Sequence, residues 1–272
     1  MIEHKYIGFV CKKVNFKDND AIFNVITKDG KKTFKARGIL KITSKNAASC
    51  NFFMLSEFTT QSKTETSNQS LKTSSIIKTF KKPYEDILTA SSYLFICSIL
   101  DELSEQINGY ELTVKCFEML ESKIYPINIL NYFLKSLCEV LGYNPDIKGC
   151  MMCGKTNQLI SFDFESGGFI CASCFDSTRY EKIPTVFLKD LYKFLKEEEF
   201  IELEELKAQK LFKMYCLFLN DVVGLSIKNE FILSCMWVNI FFHRLKLADK
   251  NVYVCSYQPI CLLVIIQNIL CF

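Results

Sequence analysis

The sequence predicts an α+β chain: a small N-terminal β-barrel, then an α-helical domain into which a four-cysteine zinc ribbon is inserted. Three observations predict it. Short β-rich runs bounded by turn or charge signals fill the first 80 or so residues, and from residue 83 onward the apolar spacing becomes helical. The charge changes at the same place: residues 1–82 hold 16 Lys+Arg and 6 Asp+Glu, a net +10, whereas residues 83–272 hold 17 and 24, a net −7. Two Cys-x-x-Cys pairs then stand 17 residues apart within the helical part. The implied segments are a barrel at 1–82, a helical domain at 83–233 with its ribbon at 149–175, and an apolar extension at 234–272.

Composition excludes disorder, because 272 residues with 49% hydrophobic content and a net charge of +3 can bury a core. A globular chain of this length buries about 75% of the surface it exposes when unfolded, so its 14 cysteines are not needed as disulfide staples. The first twenty residues carry Lys5, Lys12, Lys13 and Lys17 with no long apolar run, so no secretory signal is expected and the chain is placed in the cytoplasm. Thiols stay reduced there, and closely paired ones read as metal ligands.

In the first segment, strands are expected at 6–14, 21–27 and 33–40, with Asp29-Gly30 as a hairpin turn, since glycine supplies the positive φ a tight turn needs. Two more are expected near 52–58 and 75–80, separated by the polar stretch 59–73, which reads as a mobile loop. Five short strands in this length suit an OB-fold. Cations and rings interleave along it, as Lys12, Lys13, Phe16, Lys17 and then Lys31, Lys32, Phe34, Lys35, Arg37 and Lys41. Lysines neutralise phosphates and exposed rings stack bases, which makes Lys12, Lys13, Lys31, Lys32, Lys35, Arg37 and Lys41 candidate DNA contacts. The plainer reading of each is a solvated lysine edge or a core phenylalanine. A merely Lys-rich composition would spread the excess over the whole chain, and it is confined to one third.

Pro83 stands where a helix is expected to start, with Glu85 and Asp86 in its first turn. Helical spacing continues through Ile87, Tyr93, Ile96 and Leu103, through Leu112, Cys116 and Leu120, and through Ile129, Phe133 and Leu137 to a stop at Gly142. It resumes over 187–196 and 203–223.

Between these helices, Cys150-Met151-Met152-Cys153 and Cys171-Ala172-Ser173-Cys174 have the spacing of a structural zinc site. Two intervening residues let both sulfurs of a pair face one ion, and two pairs complete a tetrahedron. Residues 159–164 and 168–170 read as a short hairpin between the pairs. One structural Zn2+ on Cys150, Cys153, Cys171 and Cys174 is the expectation. A catalytic zinc would want an open position and usually histidine, and His4 and His243 are far away in sequence. The other ten cysteines, such as Cys97, Cys116, Cys138 and Cys216, fall mostly on apolar helix faces as small hydrophobes. The first pair also overlaps a phosphate-loop pattern, Gly149-Cys150-Met151-Met152-Cys153-Gly154-Lys155-Thr156. A working loop leaves a strand and enters a helix, whereas Asn144-Pro145-Asp146 reads as a turn and 159–164 as a strand. A nucleotide-dependent enzyme using Lys155 and Thr156 is therefore the alternative rather than the leading reading.

The order of parts, together with Leu141-Gly142-Tyr143-Asn144-Pro145, Ser161-Phe162 and Gly167-Gly168-Phe169-Ile170 around the cysteines, resembles the bacterial RecO recombination mediator family. Gly8-Phe9-Val10 and Arg37-Gly38-Ile39-Leu40-Lys41-Ile42-Thr43-Ser44 resemble its first strand and its glycine-basic-serine segment, and the similarity runs over about residues 1–233. The resemblance implies a non-enzymatic, nucleoid-associated protein whose OB-fold binds single- and double-stranded DNA and anneals complementary strands. It also implies partnership with RecR and single-strand-binding protein to load RecA. This chain departs from the family in having Leu40-Lys41 where two adjacent basic residues are common, and in its long tail. Residues 251–272 carry no charge, and at 22 residues they have the length of a membrane span, but Gln258, Pro259, Gln267 and Asn268 interrupt them. A packed extension, a frameshift product and a membrane segment that would make the chain a tethered adaptor all stay open for 234–272, with membrane association the least favoured.

Overall fold

The computed structural model describes residues 1–64, 68–103, 109–225 and 227. They fall into two compact units, Met1–Ser122 and Lys123–Ile227. The extension at 234–272, and with it the question of a membrane segment, lies outside the described residues. Among those residues no helix is long and apolar enough to cross a membrane.

The first unit is built on five strands, β1 (Ile2–Phe16), β2 (Asp20–Thr27), β3 (Gly30–Ala36), β4 (Met54–Ser62) and β5 (Gln69–Thr79). They run in the order β1-β2-β3-β5-β4, and β4 pairs back onto β1. All neighbours are antiparallel except β3 and β5, whose parallel seam consists of Phe34↔Gln69 and Lys35↔Ser70. This is the OB-like order, barely closed at that seam. Side chains alternate along each strand, and Val10, Phe23, Val25, Phe34 and Phe58 point inward as the core. Phe34 links the rings of Phe23 at 6.0 Å and Phe58 at 5.3 Å. The β2–β3 hairpin turns where Asp29-Gly30 predicted, with Gly30 at φ 87° and Thr27 Oγ1 donating to its carbonyl at 2.7 Å. Gly8 is required for a different reason: a Cβ there would lie 2.2 Å from the Ile26 carbonyl oxygen across the strand pair.

Three expectations need correction. The third strand stops at Ala36 rather than residue 40, because Gly38 turns the chain at φ 64° and its N–H is taken by Asp20 Oδ1 at 2.8 Å. Most of 59–73 is strand rather than loop: β4 runs on to Ser62 and β5 begins at Gln69. The inward positions of β4 within that stretch are Thr60 and Ser62, both buried but polar, so the period-two alternation that runs on from Ser56 and Phe58 loses its hydrophobic signal there. Thr60 Oγ1 donates to Gln69 Oε1 at 2.6 Å, Gln69 Nε2 donates to the Tyr6 hydroxyl at 2.9 Å and Ser62 Oγ lies 3.0 Å from His4 Nε2, which satisfies these groups, whereas the buried Ser56 hydroxyl has no such partner among the described residues. Finally, Pro83 lies in a 3-10 turn, Lys82–Tyr84, and Asp86 is the N-cap of helix α1 (Ile87–Glu102), accepting from Thr89 N at 2.7 Å.

Helix α1 and helix α2 (Tyr110–Leu120) belong to the same compact unit as the barrel. Phe9, on the outer face of β1, packs edge-on against Phe117 at 5.0 Å, and Phe117 lies 4.2 Å from Tyr93, whose hydroxyl donates to the Phe117 carbonyl at 2.7 Å. The barrel unit therefore reaches beyond the point where the sequence period changes.

In the second unit, helix α3 (Pro126–Leu141) ends at Gly142, which adopts φ 80° as a left-handed C-cap. Strands β6 (Asp146–Cys150), β7 (Leu159–Asp163) and β8 (Gly168–Cys171) form a small sheet in the order β6-β8-β7. Helices α4 (Thr185–Lys196) and α5 (Glu205–Phe218) follow, and a π-helical turn, Leu219–Val223, continues α5. Strand β6 replaces part of the turn expected at 144–146; Asp and Gly weaken its strand signal, and its parallel register with β8 is irregular. Buried amides tie α3 to its surroundings: Asn128 Nδ2 donates to the Leu203 carbonyl at 2.9 Å and Asn131 Nδ2 to the Ala208 carbonyl at 2.8 Å. Buried Lys135 donates to the Phe194 carbonyl at 3.0 Å and to that of Glu197, closing the C-terminal end of α4, and its burial lowers its pKa.

Candidate metal centre and nucleic-acid interface

Cys150 ends β6, Cys171 ends β8, and the partner of each lies in the turn that follows. In the first turn Gly154 N donates to the Cys150 carbonyl at 2.7 Å, with Gly154 at φ 74°; in the second, Cys174 N donates to the Cys171 carbonyl at 3.1 Å. A Cβ on Gly149 would meet the Gly154 carbonyl oxygen at 2.7 Å, so the tight knuckle needs glycine there. The four sulfurs of Cys150, Cys153, Cys171 and Cys174 all lie within 4.8 Å of one another, and Cys153 Sγ is 3.6 Å from Cys171 Sγ. A tetrahedral ion with bonds of about 2.3 Å needs sulfur separations of about 3.8 Å, so the four residues fit such an ion.

Electrostatics agree with that fit. Burial pushes the Cys150 thiol up, but N–H groups of Cys171, Met152 and Cys153 outweigh it and bring Cys150 down to about 6. The Cys171 N–H lies 3.3 Å from the Cys150 sulfur. Cys171 is likewise lowered against its burial, chiefly by the Cys174 N–H, while hydrogen bonding with Cys153, together with burial, raises Cys174 to about 12. Backbone N–H groups around the cluster thus favour the thiolate form at Cys150 and Cys171, the form in which sulfur binds a metal. At Cys116 and Cys138 burial is the main cause that pushes the thiol up, to about 12, with Glu139 adding to it at Cys138, as expected of cysteines acting as small hydrophobes.

The phosphate-loop alternative fails on geometry. Strand β6 does precede the segment, but strand β7 follows it where a helix would be required. Its N–H groups are already engaged: Cys150 N on the Lys155 carbonyl at 2.8 Å, Met151 N on the Phe169 carbonyl at 2.8 Å, and those of Met152 and Cys153 on the Cys150 sulfur. No ring of free amides is left there to cradle a phosphate.

The seven nominated cations on the barrel divide. Lys12 Nζ donates to Asp101 Oδ2 at 2.7 Å, Asn24 Nδ2 to Asp101 Oδ1 at 2.5 Å, and Lys31 Nζ to the carbonyls of Asp101 at 2.6 Å and Leu103 at 3.0 Å. Lys12 and Lys31 thus pin the C-terminal end of α1, where the helix dipole favours positive charge. Lys35 pairs with Asp20 at 3.0 Å and lies 4.2 Å from the Phe16 ring. Lys13 and Lys32 lie over Phe23 and Tyr6 at 6.0 and 5.8 Å, and Arg37 and Lys41 are exposed. Lys35 and Arg37 do come together, on a groove of about 800 Å³ beside the β3–β5 seam, with Phe16, Lys63, Asn68 and Gln69 also lining it. Phe16 is 38% exposed, with Lys35 Nζ and Lys17 Nζ at 4.2 and 5.5 Å from its ring centre. Sequence reading missed Lys63 because it sat in the supposed loop; the β-branched threonines flanking it were the available signal.

Fold and site together define a class: an OB-like barrel protein whose second compact unit carries a four-cysteine metal-binding ribbon. Comparison with known proteins gives the family. Residues 1–80 match the family described as Recombination protein O N terminal and residues 84–220 that described as Recombination protein O C terminal. The chain belongs to the RecO family of DNA repair and recombination proteins, as its motifs suggested. The DNA repair protein RecO of Listeria innocua is 26% identical to it over 245 residues, covering 86% of this chain and 95% of that protein. That of Mesoplasma florum is 26% identical over 239 residues, covering 82% and 87%. That of Bacillus pumilus is 25% identical over 182 residues, covering 65% and 70%.

Proposed function

We propose that this RecO-family chain is a non-enzymatic recombination mediator of the cytoplasm and nucleoid. It binds single- and double-stranded DNA, anneals complementary strands and, with RecR and single-strand-binding protein, helps load RecA. The observation that carries this reading is the groove in which Lys35, Arg37 and Lys63 stand beside exposed Phe16 on an OB-like barrel. Cations there neutralise phosphates and release their counterions, while the ring takes a base without reading its identity. Lowering the phosphate repulsion between two strands is the electrostatic part of annealing, and it needs no catalytic group. Cys150, Cys153, Cys171 and Cys174 hold one Zn2+, which supplies a cross-link between two knuckles and no chemistry on DNA.

Fluorescence anisotropy of a labelled single strand, titrated at several salt concentrations, tests the groove. Reversing Lys35, Arg37 and Lys63 to Glu should weaken binding at least tenfold. It should also flatten the log–log salt slope by about 2, since each single-strand phosphate contact contributes about 0.7. An unchanged affinity and slope would remove the groove from DNA binding.

A further inference from the structure

The second unit carries cations that neither the fold nor the metal centre engages. Along α4, Phe187, Leu188, Leu191 and Phe194 are buried, and the opposite face presents Lys189, Tyr192, Lys193 and Lys196 to solvent. Spacings of three and four residues put these on one stripe, with its three ammonium groups spread along about 10 Å of helix. Other lysines of this unit are held: Lys207 by Asp190 at 2.7 Å and Glu204 at 3.5 Å, Lys210 by Glu181 at 3.0 Å, and Lys135 on backbone carbonyls. Among the described residues, none of Lys189, Lys193 and Lys196 has an ion pair. Asp190, the acidic residue within the run, is turned to Lys207, which leaves the stripe uniformly positive up to the acidic turn beginning at Glu197. Tyr192 is 42% exposed, its ring backed by Phe169 at 6.4 Å and approached by Lys196 Nζ at 5.9 Å, so it stands among the cations as a fixed aromatic platform.

We infer that this face of α4 is a second nucleic-acid surface, taking the phosphates of a second DNA strand on Lys189, Lys193 and Lys196 and a base on Tyr192. It extends the reading above, in which the barrel groove takes the first strand. The ligand chemistry follows from the pattern. A row of unpaired cations suits a linear polyanion, and an exposed ring at its centre suits bases, whereas an acidic peptide has no use for the ring. Two strands held on separate surfaces of one chain would be brought together faster than two strands competing for one groove.

Lysine acetylation of the full chain, mapped by mass spectrometry with and without excess single-stranded oligonucleotide, tests the surface directly. The expected result is protection of Lys189, Lys193 and Lys196 at oligonucleotide ratios above those that protect Lys35 and Lys63. The variant Lys189→Gln/Lys193→Gln/Lys196→Gln, its fold checked by circular dichroism, should keep first-strand affinity within about twofold and anneal complementary strands at least tenfold more slowly. Replacement of the three by Arg should retain annealing. Full reactivity of the α4 lysines with DNA bound, or undiminished annealing by the Gln variant, would overturn the inference. So would equal protection by a poly-glutamate peptide, which would assign the face to an acidic protein. Protection of the α4 lysines without Lys35 and Lys63 would instead refute the barrel reading and leave this face as the DNA surface.

Discussion

The ribbon and the basic side of the barrel each collect like groups, and they do so with opposite results. In the ribbon, four sulfurs converge within 4.8 Å of one another, although Cys153 and Cys174 lie on different turns. On the barrel, seven nominated cations diverge, two pinning the end of α1 and one pairing with Asp20 beside the groove. Converging thiolates repel, so their geometry is a site only with a cation at its centre. Diverging lysines lower their mutual repulsion by finding carboxylates and carbonyls, so a cluster of basic residues in sequence is partly a structural device. The same chemistry that lets lysine meet a phosphate lets it meet Asp101.

Breaking the ribbon should have the largest effect. If the site holds zinc as proposed, Cys171→Ser, or removal of metal by a strong chelator, should release it and destabilise the second unit by several kcal/mol, given that structural zinc contributes about 10–16 kcal/mol in small zinc domains. Metal analysis and thermal melts of the same samples check this; a Cys171→Ser protein that keeps its metal and melting temperature would contradict convergence. Next, Lys135→Met should cost about 1–3 kcal/mol in urea unfolding, because the carbonyls of Phe194 and Glu197 lose their donor in a buried place. Asp101→Ala sharpens the contrast from the barrel side. It should cost about 1–2 kcal/mol, since the Asp101 side chain is only 10% exposed while Lys12 is 48% exposed, yet leave single-strand affinity no weaker. A loss of DNA binding in that variant would mean that the α1 clamp and the groove are one site.

The smallest effect concerns Asp20, whose carboxyl is held below its usual value first by the Gly38 N–H and then by Lys35. A carboxylate with a lowered folded pKa adds stability that is present above its unfolded value, near 3.8, and is lost as pH falls through the lower folded value. Asp20→Asn should therefore be less stable than wild type at pH 7 and lose that deficit as pH falls below 4, where the wild-type carboxyl is protonated too, as measured by urea midpoints across that range.

Where function rested on local spacing, the sequence was enough. Two residues between cysteines dictate where their sulfurs point, and a 3.6-residue period exposes α3, α4 and α5 whatever surrounds them. The end of β4 and the start of β5 were hidden because the inward positions at the end of β4 are Thr60 and Ser62 and the first residues of β5 are mostly polar and only half-buried. Lys63 was hidden with them. The engagement of Lys12 and Lys31 could not be read at all, since Asp101 lies 89 and 70 residues further along the chain and only the tertiary fold brings it near. Long-range pairing thus decides which of the nominated cations the fold itself engages.

Annealing of complementary oligonucleotides by the purified, metal-analysed protein tests the central claim most directly, comparing wild type with the variant in which Lys35, Arg37 and Lys63 are reversed to Glu. The account predicts about one zinc per chain in both proteins, with annealing that falls steeply as salt rises in the wild type and is lost in the variant. Annealing that persists at high salt, or survives reversal of the groove, would contradict it.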